Sequence, residues 1–85
     1  MTKEQLADEG YEYAVVFDNP DFGDSIIGID SDNRAVYSLE KMIDNLMISD
    51  NMTYEEAAEF IDYNTIRSLP YQENSPIVVN LFEEI

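Results

Sequence analysis

Four segments of the chain predict β-strands, and in three of them apolar side chains recur at every second position, the period expected of a strand with one buried face. These segments are Tyr11–Asp18, Ser25–Asp30, Arg34–Tyr37 and Pro76–Phe82. The turn sequence Asp30–Asn33 separates the second segment from the third, and Asn33 can adopt the left-handed conformation there. The second and third segments therefore predict a β-hairpin.

Two further segments have the apolar spacing of amphipathic helices. The first begins after Ser38, a favoured N-cap residue, and its apolar side chains form one stripe. That stripe consists of Leu39, Met42, Ile43, Leu46 and Met47. The second begins after Thr53, because Glu56 three residues later completes a capping box, and it extends to about Ile66. Its inward side chains are Ala57, Ala58, Ile61 and Ile66.

A short N-terminal helix over residues 2–9, capped by Thr2 and ended by Gly10, precedes the strands. Strands grouped together and helices grouped together are typical of an α+β fold. We therefore predict one acidic α+β domain over residues 1–85. In it, a small antiparallel sheet of three strands plus the C-terminal strand is covered by the two adjacent helices. The neighbour of the C-terminal strand, taken here as the first strand, is not determined by the pattern.

The charge of the chain is strongly unbalanced and limits the possible functions. Its 85 residues include 19 Asp or Glu and 4 Lys or Arg, which gives a formal net charge of −15. The chain contains no Cys, so disulfides, thiolate zinc sites and cysteine nucleophiles are excluded. It also lacks His, the commonest general base and metal ligand, and it has no Gly-rich phosphate loop. We predict a protein that is not an enzyme, with no catalytic residues and no cofactor.

Location and partner class follow from the same composition. No apolar run approaches the roughly 18–20 residues of a membrane span, and the N-terminal residues lack the pattern of a signal peptide. We therefore expect a cytoplasmic protein that binds no membrane. The negative charge repels phosphates, so direct binding of nucleic acid is not expected, and a basic protein surface is the expected partner. Whether the chain is a monomer or a homodimer is left open by the sequence.

The aspartates of the loop Asp18–Asp24 raise the question of a metal site. An EF-hand loop that starts at Asp30 would have Arg34 and Ala35 where a ligand and a glycine are needed. One that starts at Asp18 would have a proline at its third position. We therefore predict no metal site, and weak binding of a divalent ion by the aspartates of this loop remains the alternative.

Carboxylates form rows on the predicted outer faces of both helices. Glu55, Glu59 and Asp62 are spaced four and three residues apart. Glu40 and Asp44 have the same four-residue spacing on the preceding helix. Like charges at this spacing cost about 0.2–0.5 kcal/mol per pair, so folding does not favour them. Adaptation to high internal salt and imitation of the DNA phosphate backbone are two competing causes, and we favour the second.

Aromatic side chains could anchor the same contact, as Tyr does at many interfaces. The candidates are Tyr54, Tyr63, Tyr71 and Phe22. For Tyr63 we favour ordinary packing of the ring with a hydrated hydroxyl, whereas Tyr71 is kept as a partner-binding residue. An alternative function is a generic acidic protein-interaction module that uses the C-terminal strand or the loop Leu69–Asn74.

Five short motifs carry a resemblance to known proteins. They are Asn19-Pro20-Asp21, Ile26-Ile27-Gly28, Met52-Thr53-Tyr54-Glu55-Glu56-Ala57, Phe60-Ile61-Asp62-Tyr63-Asn64-Thr65 and Leu69-Pro70-Tyr71. In these motifs the chain resembles a family of short acidic proteins from bacterial phages and mobile elements. In size, charge and mixed fold it is also similar to small anti-CRISPR and anti-restriction proteins that act as DNA mimics. The first resemblance implies a phage or mobile-element context. The carboxylate rows, together with the second resemblance, favour an inhibitor that blocks the nucleic-acid-binding surface of a host defence protein, such as a Cas nuclease or a restriction enzyme.

Overall fold

The chain combines helices and strands in an α+β fold, as predicted. The structure is a computed structural model, and it describes residues 1–81. Its helices are α1 (Lys3–Leu6), α2 (Leu39–Ser49) and α3 (Tyr54–Asn64), and its strands are β1 (Ile26–Ile29), β2 (Ala35–Ser38) and β3 (Ile77–Val79). A π-helical turn, Ala7–Tyr11, follows α1, and a 3-10 turn, Ile66–Tyr71, follows α3.

The three strands form one mixed sheet in the order β1-β2-β3. β1 and β2 pair antiparallel, as expected of a hairpin, whereas β2 and β3 pair parallel. The prediction of a purely antiparallel sheet is therefore wrong, and the C-terminal strand lies beside β2 rather than beside the first predicted strand. The connection allows this pairing: parallel strands need a crossover of a dozen or more residues, and α2 and α3 lie between β2 and β3. Phe82, the predicted end of this strand, lies outside the described residues.

The segment Tyr11–Asp18, predicted as the first strand, is not a strand. Only Val15 reaches the sheet, through a single parallel bridge to Arg34. The Val15 N–H donates to the carbonyl of Asn33, and the Val15 carbonyl accepts from the N–H of Ala35, both at 2.9 Å. Backbone groups of alternate residues point to the same edge of a strand, so this bridge occupies the edge of β2 that β3 also uses. That edge of β2 is therefore shared by Val15 and β3. Tyr11 and Tyr13, at alternate positions of the predicted strand, are exposed.

The turn between β1 and β2 is held by the carboxylate of Asp30. This carboxylate accepts the N–H groups of Asp32 and Arg34, both at 2.9 Å, and lies 2.9 Å from the Arg34 guanidinium. The hydrogen bond from the Arg34 N–H, with that from Asp32 and the positive charge of Arg34, lowers the pKa of Asp30. Asn33 has a φ of 61°, which confirms its predicted left-handed conformation.

The buried face of β1 differs from the prediction. A register shift between Ile26 and Gly28 accompanies the burial of Ile26, which is 2% exposed. The period of two places Ile27 and Ile29 on one face of the predicted strand, but Ile27 is 39% exposed. Because a bulge adds one residue to a strand, it breaks the alternation on which the prediction rested.

The N-terminal helix is present but shorter than predicted. Thr2 caps it, and the Thr2 side chain accepts the N–H of Gln5 at 3.1 Å. The regular helix ends at Leu6, whose side chain is buried, and the chain continues as the π-helical turn. Gly10 has a φ of 101°, a left-handed value that favours glycine, so the chain leaves the helix there.

The two long helices begin where their capping residues predict. Ser38 caps α2 by accepting the N–H of Lys41 at 3.3 Å, and Thr53 forms the predicted capping box with Glu56 at the start of α3. The buried side chains are Met42, Ile43 and Leu46 on α2, and Ala57 and Ile61 on α3. α2 packs against both α3 and β2. α3 ends two residues before the predicted Ile66, which instead begins the 3-10 turn.

An aromatic cluster lies within the core. The ring centroid of Phe17 is 5.5 Å from that of Phe22 and 4.8 Å from that of Tyr37. The Tyr37 hydroxyl accepts the N–H of Phe17 at 3.0 Å, and the Tyr37 side chain is fully buried. The prediction that Phe22 is an exposed anchor is wrong, because Phe22 is 1% exposed and packs against the other two rings.

Tyr37→Phe is expected to lower the free energy of unfolding by about 1–3 kcal/mol near neutral pH, because the Phe17 N–H loses its acceptor. Burial raises the pKa of the Tyr37 hydroxyl, and the charges of Asp21 and Asp18 raise it further. An unfolded tyrosine ionises near pH 10, so the stabilising effect of Tyr37 is complete below about pH 10. Above that pH it declines until the folded-state pKa is reached.

Urea unfolding of the two proteins at several pH values measures this effect. The stability gap between the native chain and Tyr37→Phe should narrow as the pH rises above about 10. Tyr63→Phe is the matched control, because Tyr63 is 71% exposed, and it should leave the stability at neutral pH unchanged. If the difference in free energy of unfolding between the two proteins stayed constant above about pH 10, the neutral Tyr37 hydroxyl would not be the source of the stabilisation.

Candidate protein-binding surface

The outer side of α2 carries the first predicted row of carboxylates. Glu40 and Asp44 are exposed and lie one helical turn apart. They border an open groove of about 740 Å³, which we call the α2 groove, together with Asp24 from the loop before β1. The buried stripe of α2 fixes this orientation, because a helix that buries one face turns the opposite face to solvent.

The outer side of α3 carries the second row. Glu55, Glu59 and Asp62 are exposed, as predicted, and they line one shallow depression with Tyr54 and Ala58. Their common location follows from the helical period, because side chains three or four residues apart share a face. The predicted spacing therefore places the three carboxylates together.

A hydrogen bond joins the two rows. The Tyr54 hydroxyl, at the start of α3, donates to Oε1 of Glu40 on α2 at 2.9 Å. This hydrogen bond and the charge of the Glu40 carboxylate raise the pKa of Tyr54, and the charge of Asp44 adds to the shift. Tyr54 thus connects the α2 groove to the α3 row. We call the five carboxylates, Glu40, Asp44, Glu55, Glu59 and Asp62, the acidic ridge.

Among residues 1–81, Arg67 is the one cationic side chain in a salt bridge with the acidic ridge. Arg67 contacts Asp62 at 3.4 Å, and the Lys41 side chain lines the α2 groove. Lys3 and Arg34 instead contact aspartates outside the ridge, in the loop Asp18–Asp24 and in the hairpin turn. Within residues 1–81, no salt bridge involves Glu40, Asp44, Glu55 or Glu59.

Tyr71 is separate from the acidic ridge. It ends the 3-10 turn and is 90% exposed, but it lines neither of the grooves that contain the five carboxylates. Tyr63 lies beneath Arg67, whose guanidinium carbon is 5.4 Å from the ring centroid. Of the four aromatic candidates, Tyr63 lines a depression beside Glu59 and Asp62, whereas Tyr54 joins the two rows. Its contact with Glu40 joins residues on different helices, so no local pattern in the sequence could have revealed it.

The aspartates of the loop before β1 have partners within the chain. Asp18 and Asp21 lie 3.6 Å and 3.9 Å from the Lys3 ammonium, and Asp21 also accepts the N–H of Gly23 at 2.9 Å. Asp24 lines the α2 groove instead. Across the described part of the chain, no group of three or more potential ligand side chains is placed so that it could hold a metal ion.

Comparison with known proteins found no matching family model, no matching curated protein and no matching solved structure. Among residues 1–81 there is no helix whose length and hydropathy would allow it to cross a membrane.

Proposed function

We propose that the chain is a DNA mimic of phage or mobile-element type, which blocks the nucleic-acid-binding surface of a host defence protein. The target we expect is a Cas nuclease or a restriction enzyme. Such a protein acts in the cytoplasm, without catalysis and without a cofactor. The observation that carries the proposal is the acidic ridge, in which Tyr54 and Glu40 join two rows of carboxylates on adjacent helices.

The spacing within the ridge suits cations that normally bind phosphates. Carboxylates one helical turn apart have Cβ atoms about 5–6 Å apart. One strand of DNA carries one charge for about every 3.4 Å of axis and winds around that axis, so neighbouring phosphates are farther apart than this rise, and the spacing of the carboxylates in each row is of the same order. Packed helices lie about 8–10 Å apart, which gives the ridge width as well as length.

The lack of salt bridges to four of the five ridge carboxylates, within residues 1–81, supports the same function. Glu40, Asp44, Glu55 and Glu59 have no salt bridge within residues 1–81, so a partner's lysines or arginines would not have to displace internal cations. The net charge of −15 adds long-range attraction to a basic cleft and speeds association. Arg67 reduces the contribution of Asp62, although this exposed ion pair is weak in water.

Affinity measured against salt tests the proposal. The chain, immobilised at low salt, should retain a Cas nuclease or a restriction enzyme, and retention should fall steeply as sodium chloride is raised from 50 to 500 mM, because ionic contacts are screened. Bovine serum albumin, itself acidic, serves as a protein that should not be retained. Retention of the nuclease that ignores salt would contradict a mechanism based on charge.

The exposure of Tyr71 favours a second candidate, a protein-interaction module that binds through the 3-10 turn. In that case, Tyr71→Ala abolishes binding and reversal of Glu55 and Glu59 to lysine does not. The DNA-mimic proposal expects the opposite ranking of these two variants. Comparison of both variants against the same nuclease therefore separates the two functions.

A further inference from the structure

The outer face of α2 carries one apolar side chain that the fold does not use. Ile48 is 85% exposed and lies outside the buried stripe of α2. It follows Asp44 by four residues and Glu40 by eight, so it continues the α2 row by one more helical turn. The row therefore presents two carboxylates followed by an aliphatic side chain.

Ile48 lines the α2 groove and is accompanied there by a second apolar side chain. Leu81, just beyond β3, is 43% exposed and lines the same groove. Three carboxylates, those of Asp24, Glu40 and Asp44, line it as well, against the single ammonium of Lys41. The groove thus combines exposed apolar surface with an excess of negative charge.

We infer that the α2 groove receives an aliphatic side chain that projects from a lysine- or arginine-rich segment of the partner protein. This inference rests on the proposed function and specifies the chemistry of its target surface. The partner's cations face the carboxylates of Asp24, Glu40 and Asp44, and its aliphatic side chain covers Ile48 and removes it from water. A DNA phosphate backbone offers no equivalent apolar contact, so Ile48 gives the protein an interaction that DNA cannot make with the same cleft.

Two synthetic lysine-rich helical peptides test the inference. They are identical except for one central residue, which is Leu in one peptide and Ser in the other. By isothermal titration calorimetry, the full chain should bind the Leu peptide about tenfold more tightly, because burial of an aliphatic side chain is worth at least that factor. Ile48→Ser should remove this preference and leave the affinity for the Ser peptide, with its salt dependence, unchanged.

Tyr13→Ser is the matched control, because Tyr13 is 88% exposed and does not line the groove, and it should keep the preference for the Leu peptide. Equal affinity of the native chain for the two peptides would overturn the inference, as would a preference that survives Ile48→Ser. Failure of the proposed function gives a different result: the native chain then fails to bind the nuclease, whatever its preference between the peptides.

Discussion

Simultaneous replacement of Glu40, Asp44, Glu55 and Glu59 by their amides is expected to weaken binding to a Cas nuclease or restriction enzyme by about a hundredfold or more. Close charge pairs across interfaces contribute about 1.5 kcal/mol or more each in measured cases. Loss of two such pairs is enough for this factor, since about 1.4 kcal/mol corresponds to tenfold in Kd. Titration calorimetry at low salt measures the change directly.

A charge-matched variant separates a localised site from general acidity. The amides of Glu4, Asp8, Glu9 and Glu12 remove the same four negative charges from exposed positions in the N-terminal segment. None of these residues lines the grooves of the acidic ridge, so this variant should bind within about threefold of the native chain. Equal losses in the two variants would show that total charge matters and the ridge does not.

Unfolding cannot explain the loss of binding expected of the variant with amides at Glu40, Asp44, Glu55 and Glu59, which we call the ridge variant. The amides relieve the repulsion between carboxylates one turn apart, which costs about 0.2–0.5 kcal/mol per pair. The amides at Glu40 and Glu55 have the opposite effect, because these two carboxylates lie in the first turns of their helices, where a negative charge is worth about 0.3–1 kcal/mol. The two effects largely cancel, so the stability should change by no more than about 1 kcal/mol. A large loss of binding with a small change in stability is the expected combination for surface charges retained for a partner.

Phe22→Ala is expected to lower the free energy of unfolding by about 3–5 kcal/mol, the usual cost of removing a buried phenylalanine ring. Phe22 is 1% exposed, and its ring packs edge-on against Phe17 and Tyr37. Its removal leaves a cavity within the aromatic cluster. For a chain of 85 residues this is a large part of the total stability.

Tyr71→Ala is the control for that measurement. Both residues were predicted as exposed aromatics, but Tyr71 is 90% exposed, so its replacement should change the stability by less than about 0.5 kcal/mol. Guanidinium unfolding of both variants gives the comparison. If Phe22→Ala were as stable as Tyr71→Ala, the aromatic cluster would have no structural role.

The helices could be predicted because their signals are local. The capping box of Thr53 and Glu56 and the apolar stripe of α2 each lie within a few turns of chain, and both elements begin where these signals place them. The exposure of the carboxylate rows followed from the helical period, which places side chains three or four residues apart on one face. The part of the candidate surface that lies on single helices was therefore predictable.

The sheet could not be predicted in the same way, because strand pairing joins distant segments. Val15 and β3 share one edge of β2, and nothing within Tyr11–Asp18 reveals that the edge is already partly occupied. The burial of Phe22 has a similar origin. It lies in a loop without periodic neighbours, so only the folded chain brings it against Phe17 and Tyr37.

The connection between the two rows was equally hidden. The Tyr54 hydroxyl meets Glu40 only because α2 and α3 pack side by side, and the spacing of the two residues in the sequence does not imply contact. The apolar member of the α2 row, Ile48, was missed for a different reason. An isoleucine outside a buried stripe carries no signal until its groove is known.

Competition with DNA is the most direct measurement of whether the acidic ridge occupies a DNA-binding surface. A fluorescent duplex bound to the Cas nuclease or restriction enzyme is titrated with the native chain at fixed salt, and anisotropy reports the bound duplex. The native chain should displace the duplex completely, and the ridge variant should displace the same fraction of duplex only at about a hundredfold higher concentration. A stable ternary complex of nuclease, duplex and chain would contradict the proposed function.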